Sequence, residues 1–389
     1  MKDEQRKVPK IRFKGFTDAW EQRRLEEQVN FFNGLTYKPA DVQGEGVLVI
    51  RSSNIQEGRF IDADNVYVNR EVVNVDTIRK GDIVVVVRNG SRKLIGKHAI
   101  LKNDMPNAVI GAFMTGIRTS NSRFINALLS TKKFEKEVEM NMGATINQIT
   151  GYMFAKMEFR FPSNDEASKV GMVFEQIDNL ITLHQRKVDK LKDMKKTLLQ
   201  KMFPKNNQTV PDIRFQGFTD AWEQRKLSSI SEIVTGTTPP TKDKDNYNGN
   251  KLFISPADIQ GNRYIDKTIT TLTSKGFALG RELRPGSSLF VSIGSTIGKV
   301  AQIKDFATTN QQINAVIPND NMDDDFIFTL LEQKSESIRK ISAQQAVPIV
   351  NKTTFGNVEV TCTFKEEQKY VGTFFKEIDN LITLHHREE

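Results

Sequence analysis

Two lysine-bearing glycine stretches, GSRKLIGKH (Gly90–His98) and GSTIGKV (Gly294–Val300), are the first places to look for phosphate chemistry. A phosphate-cradling loop needs Gly-x-x-x-x-Gly-Lys-Ser/Thr, so that successive backbone N–H groups wrap the phosphates. The first stretch has one residue too many between its glycines and the second has one too few. Neither Lys97 nor Lys299 is followed by Ser or Thr. The Pro-Pro of TTPPT (237–241) lacks the acid and the aromatic with which an amino-methyltransferase holds its target amine. The Pro-Asp at 211–212 has no Glu-x-Lys after it, as a metal nuclease would require. A lone cysteine, Cys362, excludes an internal disulfide and a cysteine-based zinc cluster. The sequence therefore predicts no catalytic residue, no metal site and no cofactor of its own.

The four histidines are His98, His184, His385 and His386. His184 and His385 stand at the same place in two copies of one helical phrase. They read either as a metal or proton site at a helix crossing or as polar residues tolerated in an apolar seam. No ligand partner stands at i+4, which favours the second reading.

Polar loops carry more information. Arg51, Ser52, Ser53 and Asn54 follow a β-branched run, and Arg88, Asn89, Ser91, Arg92, Lys93 and Lys97 crowd a glycine-bounded, hairpin-like segment. Arg and Asn are forked side chains that read guanine and adenine edges, while Lys and Ser suit phosphates. In the second half Thr237, Thr238, Thr241, Lys242, Ser292, Ser295, Thr296 and Lys299 take the corresponding part. Asn310, Gln311, Gln312, Gln344 and Gln345 add amides there. Any one of these is an ordinary loop residue. Collectively they make a DNA-binding set, and a net charge of +8 favours an anionic partner.

The elements that must position these loops are written twice. IRFKGFTDAWEQRRL (11–25) recurs as IRFQGFTDAWEQRKL (213–227), and FEQIDNLITLHQR (174–186) as FKEIDNLITLHHR (375–387). The offsets are 202 and 201 residues, so the chain is a tandem duplication of a domain-sized unit. Weaker echoes lie between: IRSSNIQEGRFID (50–62) parallels ISPADIQGNRYID (254–266). The opening phrase reads as framework. Gly15 and Gly217 make a turn, and Thr17 and Thr219 are expected to cap a short helical turn through Trp20 and its copy.

Short aliphatic runs between Gly, Asn, Asp and Pro predict mixed β structure, with IVVVV (83–87) as a buried strand. Segments 121–142 and 323–341 read as helical. A long helix is expected from about Asp165 to Phe203, capped by Ser163 or Asn164. Phe174, Ile177, Ile181, Val188, Leu191, Leu198 and Met202 form a heptad seam on it, interrupted by His184 and Lys195. The second copy begins the same seam with Phe375, Ile378 and Ile382, and the sequence ends at Glu389, which leaves open a naturally short or a truncated helix. Antiparallel pairing of the two helices is the economical arrangement; a parallel dimer with another chain is the rival.

The expected fold is α+β: two tandem mixed α/β domains, separated by long helices that form an antiparallel coiled coil with pseudo-two-fold symmetry. Residues 1–162 form the first domain with its N-terminal repeated segment, 163–204 the long helix, and 205–212 a linker. Residues 213–364 form the second domain and 365–389 the second helix. The single cysteine and the charged, signal-free N-terminus point to the cytoplasm.

The twice-written IRF-x-GFTDAWEQR, the twice-written IDNLITLH and the stretch LKDMKKTLLQKMF (191–203) resemble the specificity subunit of Type I restriction–modification enzymes. TGTTPPTKDKDNYNGNKLFISPADIQ (235–260) and TTNQQINAVIP (308–318) carry the likeness through the second half. The resemblance implies a non-catalytic DNA-binding subunit with two target-recognition domains, each reading half of a split site in double-stranded DNA. It implies docking of two methyltransferase (modification) subunits and of restriction/translocase subunits. S-adenosylmethionine, ATP and magnesium would belong to those partners. A stand-alone nucleic-acid-modifying enzyme and a duplicated scaffold without a DNA role remain the alternatives. Where the second half has TTNQQINAVI the first has VIGAFMTGIR (109–118), so the two domains are expected to read different bases.

Overall fold

Repeated sequence folds here into repeated structure. The computed structural model describes residues 9–142, 147–205, 208–342 and 348–387. Two units divide the chain, Met1–Ile181 and Thr182–Glu389.

In chain order the first unit contains β1 (Glu21–Arg24), β2 (Asn30–Asn33), β3 (Val42–Gln43), β4 (Val47–Ile50), β5 (Ile55–Gln56), β6 (Arg59–Phe60) and β7 (Val66–Val68). There follow β8 (Ile83–Val86), β9 (His98–Ile100), β10 (Ala108–Ile110), β11 (Met114–Arg118), α1 (Ser122–Leu129), α2 (Lys132–Asn141), α3 (Gly151–Ala155) and β12 (Glu158–Phe161). The helix α4 (Asn164–Lys201) carries the boundary between the units. An antiparallel sheet runs β2-β11-β8-β9, and a mixed sheet runs β10-β4-β7-β3 with β10 and β4 parallel. The aliphatic run is β8, buried on both faces, which is why it does not alternate.

The second unit repeats this order with β13 (Glu223–Lys226), α5 (Leu227–Ile230), β14 (Ser231–Thr235), β15 (Tyr247–Ile254), β16 (Tyr264–Ile265), β17 (Thr270–Leu272) and α6 (Ser274–Ala278). After these come β18 (Ser288–Val291), β19 (Val300–Ile303), β20 (Ala307–Thr309), β21 (Ile313–Pro318), α7 (Asp324–Ser342), α8 (Lys352–Gly356), β22 (Glu359–Cys362) and α9 (Lys365–Arg387). Its sheets run β14-β21-β18-β19-β16 and β17-β15-β20.

The opening phrase closes each unit. Its EQRR and EQRK segments are β1 and β13, which pair antiparallel with β12 and β22 at the far end of the same unit. Arg12 forks onto Glu166 at 2.7 and 2.8 Å, and Arg214 forks onto Glu367 at the same two distances. Gly15 and Gly217 take positive φ, as the turn requires. The helical turn expected after Thr17 and Thr219 is absent: the chain stays irregular up to the strand, with the Trp20 indole N–H drawn to Glu166 and the Trp222 backbone N–H to Thr209 O. The predicted helix over 121–142 is two helices. Thr131 ends α1 and caps α2 by accepting from Phe134 N–H at 3.2 Å.

Ser163 caps α4, its Oγ accepting from Glu166 N–H at 3.4 Å. Gly171 in α4 and Gly372 in α9 sit where these helices meet the start of α1 and α7. A Cβ on Gly171 would lie 2.6 Å from Phe124 N, and one on Gly372 2.6 Å from Phe326 N.

Inside the second unit the last turns of α4 run antiparallel to α9. His184 meets His385 with 3.3 Å between their Nδ1 atoms, Lys192 Nζ meets His386 Nε2 at 3.3 Å, and Lys195 Nζ meets Asp379 Oδ1 at 2.6 Å. From His184 to Lys195 along α4 the partner on α9 moves back from His385 to Asp379. Lys195, which broke the predicted seam, is buried there and also bonds Glu332 Oε1 of α7 at 2.6 Å. Asp379 shares its other oxygen with the buried Arg263, whose guanidinium also holds Asp325 at 2.7 Å. Burial raises the Glu332 carboxyl above its ordinary range, against the pull of Lys195. Substituting Lys195→Met removes the cation from the buried Asp379 and the half-buried Glu332. Breaking such a pair costs about 3–5 kcal/mol, read as a lower urea midpoint at unchanged slope.

Candidate nucleic-acid interface

Three loops of the first unit meet at one end of its sheets. The turn after β4 (51–54), the β8–β9 hairpin loop (87–97) and the β10–β11 turn (111–113) are joined by hydrogen bonds. Asn89 Nδ2 donates to Ser52 Oγ at 3.0 Å, and Lys97 Nζ donates to Ser52 O at 3.4 Å. Val87 and Arg88 N–H both donate to Phe113 O. A fourth segment joins through Asn147, whose Nδ2 donates to Gly90 O at 2.9 Å, and through the bridge between Arg88 and Gln148.

The second unit builds the same convergence from β18–β19 (292–299), β20–β21 (310–312) and the segment at 348–350. Gly294 N–H donates to Pro348 O and Ser292 N–H to Gln312 O. Thr237 N–H reaches Thr309 O, and Thr238 Oγ1 donates to Gln311 Oε1 at 2.6 Å. Asn310 and Gln312 hold each other, Nδ2 to Oε1, at 3.0 Å.

The candidate residues separate into three groups by what their polar atoms already do. Asn54 is 1 % exposed; its Oδ1 accepts from Arg51 N–H at 2.9 Å and its Nδ2 donates to Ala63 O at 2.6 Å. Asp258 takes the same place in the second unit, its Oδ2 accepting from Ser255 N–H at 2.8 Å. Asn54 is thus a turn staple shared by both copies. Ser292 is likewise buried, accepting from Asn314 Nδ2 at 2.8 Å. A second group is exposed or half-buried but tethered. Arg51 donates to Asp64 Oδ2 at 2.7 Å, Lys299 Nζ to Ile259 O at 3.0 Å, and Asn89 Oδ1 accepts from Ser91 N–H. The third group projects: Arg88, Arg92, Lys93, Thr241, Lys242 and Ser295 are exposed, and Thr296 is half-buried. Gln344 and Gln345 lie outside the described residues.

Two neighbours escaped the sequence reading. Phe113 is 54 % exposed, with the Arg88 guanidinium 5.0 Å from its ring centroid. It stands where the second unit has Gln312, since Gly111 N–H donates to Ile50 O just as Asn310 N–H donates to Ile254 O. Comparing VIGAFMTGIR with TTNQQINAVI in that register would have found it. Gln148 had no signal, because its place beside Arg88 is made by an isolated bridge between distant segments.

The nearby His98 is held by Gly96 O at 2.9 Å and Ser130 Oγ at 3.1 Å, and burial lowers its pKa. It is a neutral packing residue. Among the described residues no group of three or more His, Cys, Asp or Glu is disposed to hold a metal, and no helix is long and apolar enough to cross a membrane. Burial also pushes the Cys362 thiol up to about 12, away from nucleophilic chemistry.

The seam residues divide by unit. Val188 is buried and Leu191 and Leu198 half-buried, while Phe375 and Ile378 pack into the core of the second unit beside Ile382. Phe174 and Ile177, their counterparts in the first unit, are 48 % and 44 % exposed, and Ile181 is also exposed.

Because Asn54 satisfies one backbone donor, Arg51 N–H, and one backbone acceptor, Ala63 O, in a buried turn, Asn54→Ala is expected to lower stability by about 1–3 kcal/mol. Chemical denaturation measures this.

The arrangement of two equivalent loop clusters on one duplicated framework has counterparts among known proteins. The family model described as "Type I restriction modification DNA specificity domain" matches residues 17–193 and again 219–389. The specificity subunit of the type I restriction enzyme MjaIX from Methanocaldococcus jannaschii is 30% identical over 168 residues, 41% of this chain and 38% of that protein. The HindI specificity subunit of Haemophilus influenzae is 29% identical over 170 residues, 41% of this chain and 37% of that protein. The matches thus span less than two fifths of either relative's length. A type I restriction–modification S subunit from M. genitalium shares the fold with TM-score 0.66 at 13% identity, over 98% of this chain and 94% of that one. With both halves matched by one family model and both built on one framework, the chain belongs to the Type I restriction modification DNA specificity domain family, whose domain it carries twice.

Proposed function

We propose that this chain is a non-catalytic specificity subunit that reads a bipartite DNA target, one half-site per unit. It docks methyltransferase and restriction/translocase subunits, which bring S-adenosylmethionine, ATP and magnesium. The observation that carries the reading is the pairing of identical framework with divergent loops. Arg88, Arg92, Lys93 and Phe113 project in the first unit, and Thr238, Thr241, Lys242, Ser295 and Gln311 in the second. One scaffold holding two different side-chain sets is what reading two different half-sites requires. The limits 1–162 and 213–364 for the two recognition domains, with the intervening helix as spacer, belong to the same proposal.

Within the first cluster the physics assigns different work. Arg88 is held by the Phe113 ring and by backbone pairing, so its fork is preorganised for a guanine edge. Arg92 and Lys93 lie on the single turn Arg92–Leu94 and face water, which suits phosphates. Phe113 offers an apolar face for a thymine methyl or a base.

Expression with a modification subunit, followed by sequencing of methylated adenines, is expected to give a split motif. Exchange of the loops of one unit should alter one half of the motif only. A contiguous motif, or methylation by the purified chain alone, overturns the reading. Arg88→Ala is expected to weaken binding by about 1–3 kcal/mol and relax one base position. Lys93→Gln should weaken all sequences alike and lower the slope of log K against log salt by about 0.9. Both are read by titration of the assembled complex with fluorescent duplexes.

A further inference from the structure

A duplicated chain faces a pairing problem. The helix segments that receive the two recognition domains are nearly the same sequence, FEQIDNLITLHQR and FKEIDNLITLHHR. Most contacts between domain and helix are also the same. The Arg12–Glu166 fork repeats as Arg214–Glu367, and the close approach at Gly171 repeats at Gly372. None of these can tell a domain's own helix from the other copy's, whether in the same chain or in a second molecule. Exchange of equivalent elements is the characteristic failure of such chains.

Other contacts differ in kind, as where Lys169 lies over Phe16 but its equivalent Tyr370 packs on Phe218, and one ion pair differs in sign. In the first unit Arg123 of α1 holds Glu175 of α4 at 2.8 Å. In the second unit Asp325 of α7 holds Lys376 of α9 at 2.9 Å. These positions are equivalent, lying 202 and 201 residues apart, in the same offsets as the repeats themselves. Glu175 and Lys376 stand one turn after the glycine contact, so they meet the first turn of the docked helix. They are also the charge reversal within the repeated helix phrase.

We infer that this inverted ion pair is a matching code that seats each recognition domain on its own helix and rejects the other copy's. Exchange would set Arg123 against Lys376 and Asp325 against Glu175. Each pair is partly exposed, with side chains 51 % and 30 % accessible in the first unit and 38 % and 19 % in the second. A single surface pair is weak. Exchange, however, turns two attractions into two repulsions at once, so the discrimination exceeds the strength of either pair. The second site is also the more demanding. Asp325 there already serves Arg263, whose guanidinium is buried, and an incoming carboxylate would compete for the same cations. The inference concerns assembly and stands independently of what the loops read.

The test uses the full-length chain. Arg123→Asp with Glu175→Lys gives the first unit the polarity of the second; both native pairs survive, but the code is erased. Refolding from urea at micromolar concentration is followed by size exclusion with light scattering. We expect the double variant to keep the thermal midpoint of the parent while its yield of monomer falls at least two-fold, with exchanged dimer in its place. The parent should show the same loss when refolded in about 1 M salt, where screening acts within about 3 Å. Should the double variant not fold, Arg123→Gln with Glu175→Gln replaces it, and a reduced monomer yield is again expected. Monomer yield and oligomer profile equal to the parent's, in whichever variant folds, overturn the inference.

Discussion

Everything in either unit hangs on a guanidinium forked onto a buried carboxylate. Glu166 and Glu367 are 1 % exposed, and each sits in the first turn of a long helix. A carboxylate so buried must find a cation and hydrogen-bond donors, or the helix start cannot pack. Arg12 and Arg214 supply both through two parallel N–H···O bonds. The consequence is topological. The chain segment that enters a unit is tied to the helix that leaves it, and the β1–β12 and β13–β22 pairs follow beside the tie. The sheets between are then suspended from two fixed ends, with their loops free to vary.

That division of labour explains which polar residues are framework. Asn54 and Asp258 differ in identity yet do one job, capping the backbone of a turn after an inner strand. Ser292 is consumed by the buried Asn314 amide. The residues left projecting differ in chemistry between units: guanidinium, ammonium and an aromatic ring in the first, hydroxyls, one ammonium and an amide in the second. A framework that tolerates such change must draw its stability elsewhere, and it does. The cores are aliphatic and aromatic, with β8 and β18 wholly buried.

The units are not energetically equivalent. In the second, Phe203 stacks on Phe326 and meets Trp222 edge-on and Phe375 at a tilt, and Lys195 threads into a cluster with Asp379, Glu332 and Arg263. The first unit has the corresponding aromatic contact of Trp20 with Phe124, and its Phe174 and Ile177 face outward. Equal sequence has therefore not produced equal burial. Burial depends on what else reaches the same surface, and the segment 191–203 occurs once in this sequence.

The sequence by itself determined the duplication, the long helices, the buried strand at 83–86 and the loops in which variable chemistry collects. Each is a local signal: identity at a fixed offset, heptad spacing, a β-branched run, glycine punctuation. The irregular path after Thr17, the split at Thr131 and the place of Lys195 were decided by tertiary structure. After Thr17 and at Lys195 a distant partner changed the local preference, the helix-start carboxylate Glu166 in one case and two carboxylates on other helices in the other, while at Thr131 a cap on Phe134 N–H won over helix continuation. The interface divides in the same way. Arg88 and Lys93 were legible as loop cations, but Asn54 and Ser292 looked equal to them until burial assigned their hydrogen bonds. Gln148 was invisible because an isolated bridge between remote segments puts it beside Arg88, whereas Phe113 shows only when the two halves are set in register. The sign inversion of Glu175 and Lys376 is plain in the two repeats, yet its meaning needed the fold, since only packing brings Arg123 and Asp325 against them.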